Sequence, residues 1–195
     1  AWRERVNTIE QKFRKNGLGA KDGDTSPMDG MAATEVARLC LGTDSVSQVG
    51  RGSFGIVFAV GALAVKIPVD NYGKYEGLSK SAKEEEAAIK ELKNEKADFL
   101  NLVSMKLVDA LPGVIFMPRA VMSLREYTMN NNLATVSLLE QLMNGVVAIE
   151  RINSTHGDLK PANIMLYCSN GSLIVKIGDF GTLQKSSVVG PHATT

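Results

Sequence analysis

The chain has 195 residues, 22 Lys and Arg against 21 Asp and Glu, and a formal net charge of +1. Its 44% apolar and 22% charged content is that of a globular protein, with length for one domain or one domain plus an extension. The charge balance argues against nucleic acid or an anionic membrane as main partner. No apolar run reaches the roughly 18 residues of a membrane span.

The start, "AWRERVNTIEQKF", lacks the apolar core of a signal peptide, and without an initiator Met it reads as trimmed. Residues 2–15 are expected to form a charged helix, and 16–30, "NGLGAKDGDTSPMDG", a loop. Thr34 to Leu41 reads as a short apolar helix stopped by Gly42. From Asp44, "SVSQVG", "GIVFAV" and "ALAVKI", punctuated by glycines, predict a meander of three antiparallel strands. Residues 79–98 read as a helix, and a second β-type patch runs from Leu107 to Met117 across Pro112-Gly113. Residues 133–152 predict a long amphipathic helix with a thick apolar face. Asn170-Gly171 between two apolar runs predicts a hairpin, because a type I′ turn needs positive φ at both central residues. Cys40 and Cys168 are too few for a disulfide framework and have no neighbouring His or Cys at ligand spacing. Both read as buried thiols in a reducing compartment.

Chemistry concentrates in a few stretches. "GRGSFGIV", residues 50–57, has glycines spaced so that a backbone can approach a ligand and offer N–H groups, phosphate being the usual visitor. A strand follows rather than a helix, which excludes the dinucleotide fingerprint and leaves a flap over phosphates. Lys66 lies inside the apolar strand "LAVKI". On the next helix, at 100° per residue, Ala82, Ile89 and Leu92 fall within about 60° of Glu85, while Glu84 and Glu86 fall about 100° to either side. Glu85 therefore lies on the apolar stripe, where a carboxylate is costly unless paired, and Lys66 is its natural partner. Downstream, "THGDLKPANIM" packs His156, Asp158, Lys160 and Asn163 beside core residues, and Asp179 ends a strand in "KIGDFG". Two acids and an amide suit Mg²⁺, and lysines can neutralise a transferring phosphate. The inventory is that of phosphoryl transfer.

Taken in order, "GRGSFGIV", "LAVK", the helical Glu85, "HGDLKPAN" and "GDFG" resemble the signature set of the eukaryotic-type protein kinases over residues 45 to 195. The resemblance implies an α+β fold with a five-stranded antiparallel small lobe holding one αC-type helix, and a small, mainly helical, incomplete large lobe. It divides the chain into an N-terminal helical extension (1–43), the small lobe (44–117), and a hinge with a partial large lobe ending in the activation segment (118–195). It implies ATP and Mg²⁺ as cofactors. Gly50, Gly52, Ser53, Phe54 and Gly55 would cover the phosphates, and Val57, Ala64 and Met165 would sandwich adenine. Either Phe116 or Met117 would guard the back of the nucleotide pocket. Lys66, paired with Glu85, would contact the α- and β-phosphates. Asp158 would accept the acceptor's proton, Lys160 would steady the γ-phosphate, and Asn163 and Asp179 would hold Mg²⁺. His156 reads as a structural core residue. "DLKPAN" is closer to the serine/threonine class, so the expected partner is a protein substrate in an intracellular, cytoplasmic setting.

The sequence departs from the family pattern in three places. Gly157 stands where the usual Arg receives an activation-loop phosphate, which makes the chain a non-RD type and implies independence of that phosphorylation. The same glycine resembles the aminoglycoside and choline phosphotransferases, a small-molecule alternative. The sequence ends soon after Gly181, so "LQKSSVVGPHATT" resembles an activation segment cut short. That implies a fragment or a compact kinase like those bacterial effectors carry into a host cytosol, with residues 1–43 packing where the missing helices would lie. A kinase-like module that binds nucleotide without transfer is a further alternative.

Overall fold

The computed structural model describes residues 2–18, 26–52, 55–77, 79–95, 97, 99–130 and 136–186. Ser53, Phe54 and the stretch 187–195 of the expected activation segment lie outside them. The chain divides into two units, one of residues 1–87 and 103–119, the other of 88–102 and 120–195.

In the first unit, helix α1 (Trp2–Lys15) turns Trp2, Val6, Ile9 and Phe13 to one side, the helical spacing of an amphipathic stripe. Its last turn holds Lys12, Arg14 and Lys15, cations that suit the negative end of the helix dipole. Helix α2 (Ala33–Leu41) buries Val36, Ala37, Cys40 and Leu41. It ends where expected, at Gly42, whose φ of 69° lets its N–H return to the Arg38 carbonyl at 2.8 Å.

Strands β1 (Ser47–Gly52), β2 (Gly55–Val60) and β3 (Leu63–Ile67) form the expected meander. Helix α3 (Lys80–Asn94) follows, then β4 (Lys106–Leu107) and β5 (Ile115–Pro118). The five strands make one antiparallel sheet in the order β1-β2-β3-β5-β4. Because side chains alternate along a strand, the register sorts them by face. Ile56, Phe58, Leu63, Val65, Ile67 and Phe116 share a core with the stripes of α1 and α2. Val57, Ala64, Lys66 and Met117 lie on the other face. The expectation for residues 1–43 changes: α1 and α2 pack on the sheet of their own unit. Their apolar stripes cover a sheet face that is itself apolar.

The second unit opens with β6 (Met122–Ser123) and the short helix α4 (Leu124–Met129). A capping box starts that helix: Ser123 Oγ accepts from Glu126 N–H while the Glu126 carboxylate accepts from Ser123 N–H. Helix α5 (Val136–Glu150), β7 (Ser154–Thr155), β8 (Ile164–Ser169), β9 (Ser172–Ile177) and β10 (Gln184–Lys185) follow. β6-β8-β9 form one sheet and β7-β10 a separate antiparallel pair. The hairpin turns at Asn170 (φ 50°) and Gly171 (φ 79°), both positive as the turn type requires.

Three expectations change here. Residues 118–195 were expected to be mainly helical, yet among those described five short strands stand beside α4 and α5. The thick apolar face of α5 is only partly used: Leu138, Ala148 and Ile149 are buried, while Val136, Leu139 and Met143 are exposed. Cys168 is also exposed, because it sits near the tip of the hairpin, whereas Cys40 is buried in the first unit's core.

Candidate active site

Lys66 and Glu85 form the ion pair their positions imply. The Lys66 ammonium donates to Glu85 Oε1 at 2.8 Å and Oε2 at 2.7 Å, with side chains only 13% and 6% exposed. Of the three successive glutamates on α3, Glu84 is exposed and Glu85 buried. Glu86 is not merely solvated: its Oε1 accepts from the Gly113 N–H at 2.5 Å and so fastens the Pro112-Gly113 turn ahead of β5. A buried carboxylate–ammonium pair contributes little net stability, but it fixes both groups in place.

Around Lys66 the sheet is lined by small or slender residues. Val57 pairs directly with Lys66, and Ala64 with Met117. At Gly55 a Cβ would be tight, 3.0 Å from the Ile67 carbonyl and 3.2 Å from Cγ and Cε of Lys66. Gly50 and Gly52 are different. A Cβ at Gly50 would meet Val57 at an ordinary 3.6 Å, and at Gly52 nothing within 4 Å. The register also decides between the two candidates at the end of β5. Phe116 is on the core face with α1 and α2, so it is removed from the lining of the Lys66 face; Met117 is on that face.

In the second unit, the loop after β7 and the residues after β9 are laced together. His156 is buried, and its Nε2 lies 2.9 Å from the Gly178 carbonyl. Gly178 N–H donates to the Asn163 carbonyl at 2.9 Å, and Thr182 Oγ1 donates to the His156 carbonyl at 2.8 Å. The His156 and Phe180 rings stack at 5.8 Å between centroids, tilted by 58°. His156 thus joins two chain segments, as a structural residue would. Asp158, Lys160 and Asn163 come together around one carboxylate: Lys160 Nζ donates to Asp158 Oδ2 at 2.6 Å, and Asn163 Nδ2 to the same oxygen at 3.2 Å and to the Asp158 carbonyl at 2.9 Å. The Lys160 hydrogen bond, reinforced by its charge and by Asn163, holds the Asp158 carboxyl below the ordinary range, so it is ionised at neutral pH.

Asn163 closes a 3₁₀ turn (Pro161–Asn163) just ahead of β8, where Met165 is half-buried. Pro161 sits at the first position of that turn, where a missing N–H costs nothing. Asp179 stands at the end of β9 in a left-handed conformation, φ 61°. Asn163, with its Nδ2 turned to Asp158, carries an amide oxygen and Asp179 a carboxylate, donor types that suit Mg²⁺. No cluster of three or more His, Cys, Asp or Glu exists among the described residues, as a zinc-type site would require. Mg²⁺ needs only one or two carboxylates when phosphate supplies the other oxygens.

Gly157 has its own local cause. Its φ is 78°, and a Cβ there would fall well inside 3.0 Å of the Thr182 carbonyl oxygen. No side chain fits this backbone while Thr182 stays where it is. The residues the sequence left unmarked are those just past "GDFG". Thr182 reaches His156; Lys185 Nζ donates to the Ile152 carbonyl at 3.1 Å and forms an ion pair with Glu91 of α3. Glu91 lies about 120° from Glu85 around the helix, so an amphipathic reading files it with the solvated face. The short β-type run "TLQK" was the one available signal.

No protein-family model matches the chain. It is 33% identical over 152 residues to a probable cell division protein kinase of Encephalitozoon cuniculi, covering 75% of this chain and 55% of that protein. It is 37% identical over 60 residues to eukaryotic translation initiation factor 2-alpha kinase 1 of Plasmodium falciparum, covering 30% of this chain and 4% of that protein. The chain thus spans about half the length of the first relative and a small part of the second. No helix among the described residues is long and apolar enough to cross a membrane.

Proposed function

We propose, from the protein-kinase-like family that both relatives support, that the chain transfers the γ-phosphate of ATP to a serine or threonine hydroxyl of a protein. The observation that carries this reading is the buried Lys66–Glu85 pair. A lysine held on both carboxylate oxygens of a helix residue is an aligned cation, placed on a sheet face whose neighbours are Gly55, Val57 and Ala64.

In this reading Lys66 binds the α- and β-phosphates, and Gly50 and Gly52 let the backbone approach them, with open space at Gly52 where a side chain would be. Val57, Ala64 and Met117, on the face of Lys66, supply apolar contact to the base. Asn163 and Asp179 would hold Mg²⁺, which would supply positive charge beside the phosphates. Asp158 orients the acceptor hydroxyl and takes its proton, and Lys160, already paired with Asp158, stands ready for the γ-phosphate. At Gly157 the backbone and Thr182 supply a local reason for glycine, and the small-molecule acceptor remains the alternative reading. The modest length carries no argument for an effector role, since the match covers only 55% of the first relative.

The test is incubation of the whole chain with Mg²⁺, γ-labelled ATP and dephosphorylated casein, with choline and an aminoglycoside in parallel. Label on Ser or Thr that falls at least 100-fold in Asp158→Asn and vanishes in Asp179→Ala supports the proposal. Nucleotide binding with no transfer, or transfer only to the small molecules, overturns it.

A further inference from the structure

We propose that Lys185 is a positioning residue, a latch that holds the segment after "GDFG" in its ordered place without phosphorylation. The segment returns along the catalytic loop. Gln184 pairs with Thr155 and Lys185 with Ser154, Ser186 N–H donates to the Asn153 carbonyl at 2.8 Å, and Thr182 Oγ1 reaches the His156 carbonyl at 2.8 Å. A two-residue strand pair is marginal by itself. Something must hold it, and the Lys185 side chain is placed to do so.

Its ammonium meets two separate parts of the unit. One is the Ile152 carbonyl at the end of the turn after α5, at 3.1 Å. The other is Glu91 on α3. Glu91 Oε1 is shut off from solvent, and among the described residues the Lys185 ammonium is what meets it. A carboxylate oxygen closed off in this way is costly without a cation. The Lys185 pKa is raised, chiefly by Glu91 and also by Glu95, so the latch is charged at neutral pH. α3 is the helix that carries Glu85, so the latch acts on the element that aligns Lys66.

The position that would carry an arginine to receive a phosphate is filled by Gly157, packed under the Thr182 carbonyl. A phosphate-receiving side chain and this path of residues 182–186 exclude each other. The ion pair with Glu91 supplies from inside the chain the charge contact that a phosphate would otherwise bring.

The activity arm of the test rests on the kinase reading above; the exchange arm does not. In the whole chain, Lys185→Met should speed amide hydrogen exchange at Gln184 and Ser186 by at least 10-fold, while Lys185→Arg stays near wild type. The paired swap Lys185→Glu with Glu91→Lys should restore most of the protection. Lys185→Met should lower kcat about 10-fold with KM for ATP changed less than 2-fold, and Lys185→Arg should rescue it. Exchange unchanged by Lys185→Met overturns the latch whatever the activity. Faster exchange with kcat unchanged overturns the positioning role. A wild-type chain that transfers nothing, yet shows the exchange pattern, removes the kinase reading and leaves the latch standing.

Discussion

Replacing Gly157 with alanine probes the tightest point of the candidate site. The residue has φ 78°, and the new Cβ would lie within 3.0 Å of the Thr182 carbonyl oxygen and 3.2 Å from Thr182 Cβ. Left-handed backbone at a non-glycine residue costs about 1–2 kcal/mol. Displacing Thr182 also forfeits its 2.8 Å hydrogen bond to the His156 carbonyl, about 0.5–1.5 kcal/mol. Loss of glycine's freedom in the unfolded chain returns about 0.4–1 kcal/mol, and the clash itself adds more. A net loss of about 3 kcal/mol is expected, a fall of roughly 6–12 °C in melting temperature for a chain of this size. Gly171→Ala is the control. It shares a positive φ, 79°, but has nothing within 4 Å of its Cβ, so it pays the backbone cost alone. Melting followed by circular dichroism measures both. If Gly157→Ala melts within about 2 °C of Gly171→Ala, the contact with Thr182 is not what demands glycine, and the account given for Gly157 fails.

Other outcomes follow from the same geometry. Glu85→Leu leaves the Lys66 ammonium buried without its carboxylate and should cost about 3–5 kcal/mol in urea unfolding. The double variant Lys66→Met, Glu85→Leu should recover most of that, and a double variant as unstable as the single would refute the pair. Asp158 has a folded-state pKa below the ordinary carboxylate value, so what it contributes is fully present above that value and is lost as pH falls beneath it. Carboxyl NMR titration should show this low midpoint, and Lys160→Met should move it upward; a midpoint indifferent to Lys160 would contradict the assigned cause. Burial pushes the Cys40 thiol up to about 12 while Cys168 is exposed, so at pH 8 a thiol reagent should label Cys168 in the native chain and both cysteines in denaturant. Native labelling of Cys40 would mean that the core of the first unit is not closed.

What the sequence revealed depended on whether a residue's setting was local. Glu85 could be singled out from its neighbours because helical periodicity fixes direction within one element. The Asn170-Gly171 turn and the Gly42 stop were legible because each rests on the dihedrals of one or two residues. Phe116 and Met117 could not be separated, because a shift of one residue in strand register turns every side chain to the other face, and register is set by partners distant in sequence. Cys168 was misread for a related reason: its apolar neighbours belong to a hairpin whose tip projects beyond the core. Gly157 was legible as a departure but not as a necessity, since its cause is a carbonyl 25 positions downstream. Lys185 and Glu91, far apart in sequence and on no periodic pattern, carried no signal as a pair.

The packing of α1 and α2 on the sheet has a practical consequence for anyone shortening the chain. A fragment cut to the motif-bearing region, starting near Asp44, would strip the cover from Ile56, Phe58, Val65, Ile67 and Phe116 at once. That would turn the middle of a core into a contiguous greasy surface, the kind that drives self-association and insolubility. A boundary drawn from motifs alone would then yield an aggregate whose lack of activity says nothing about catalysis.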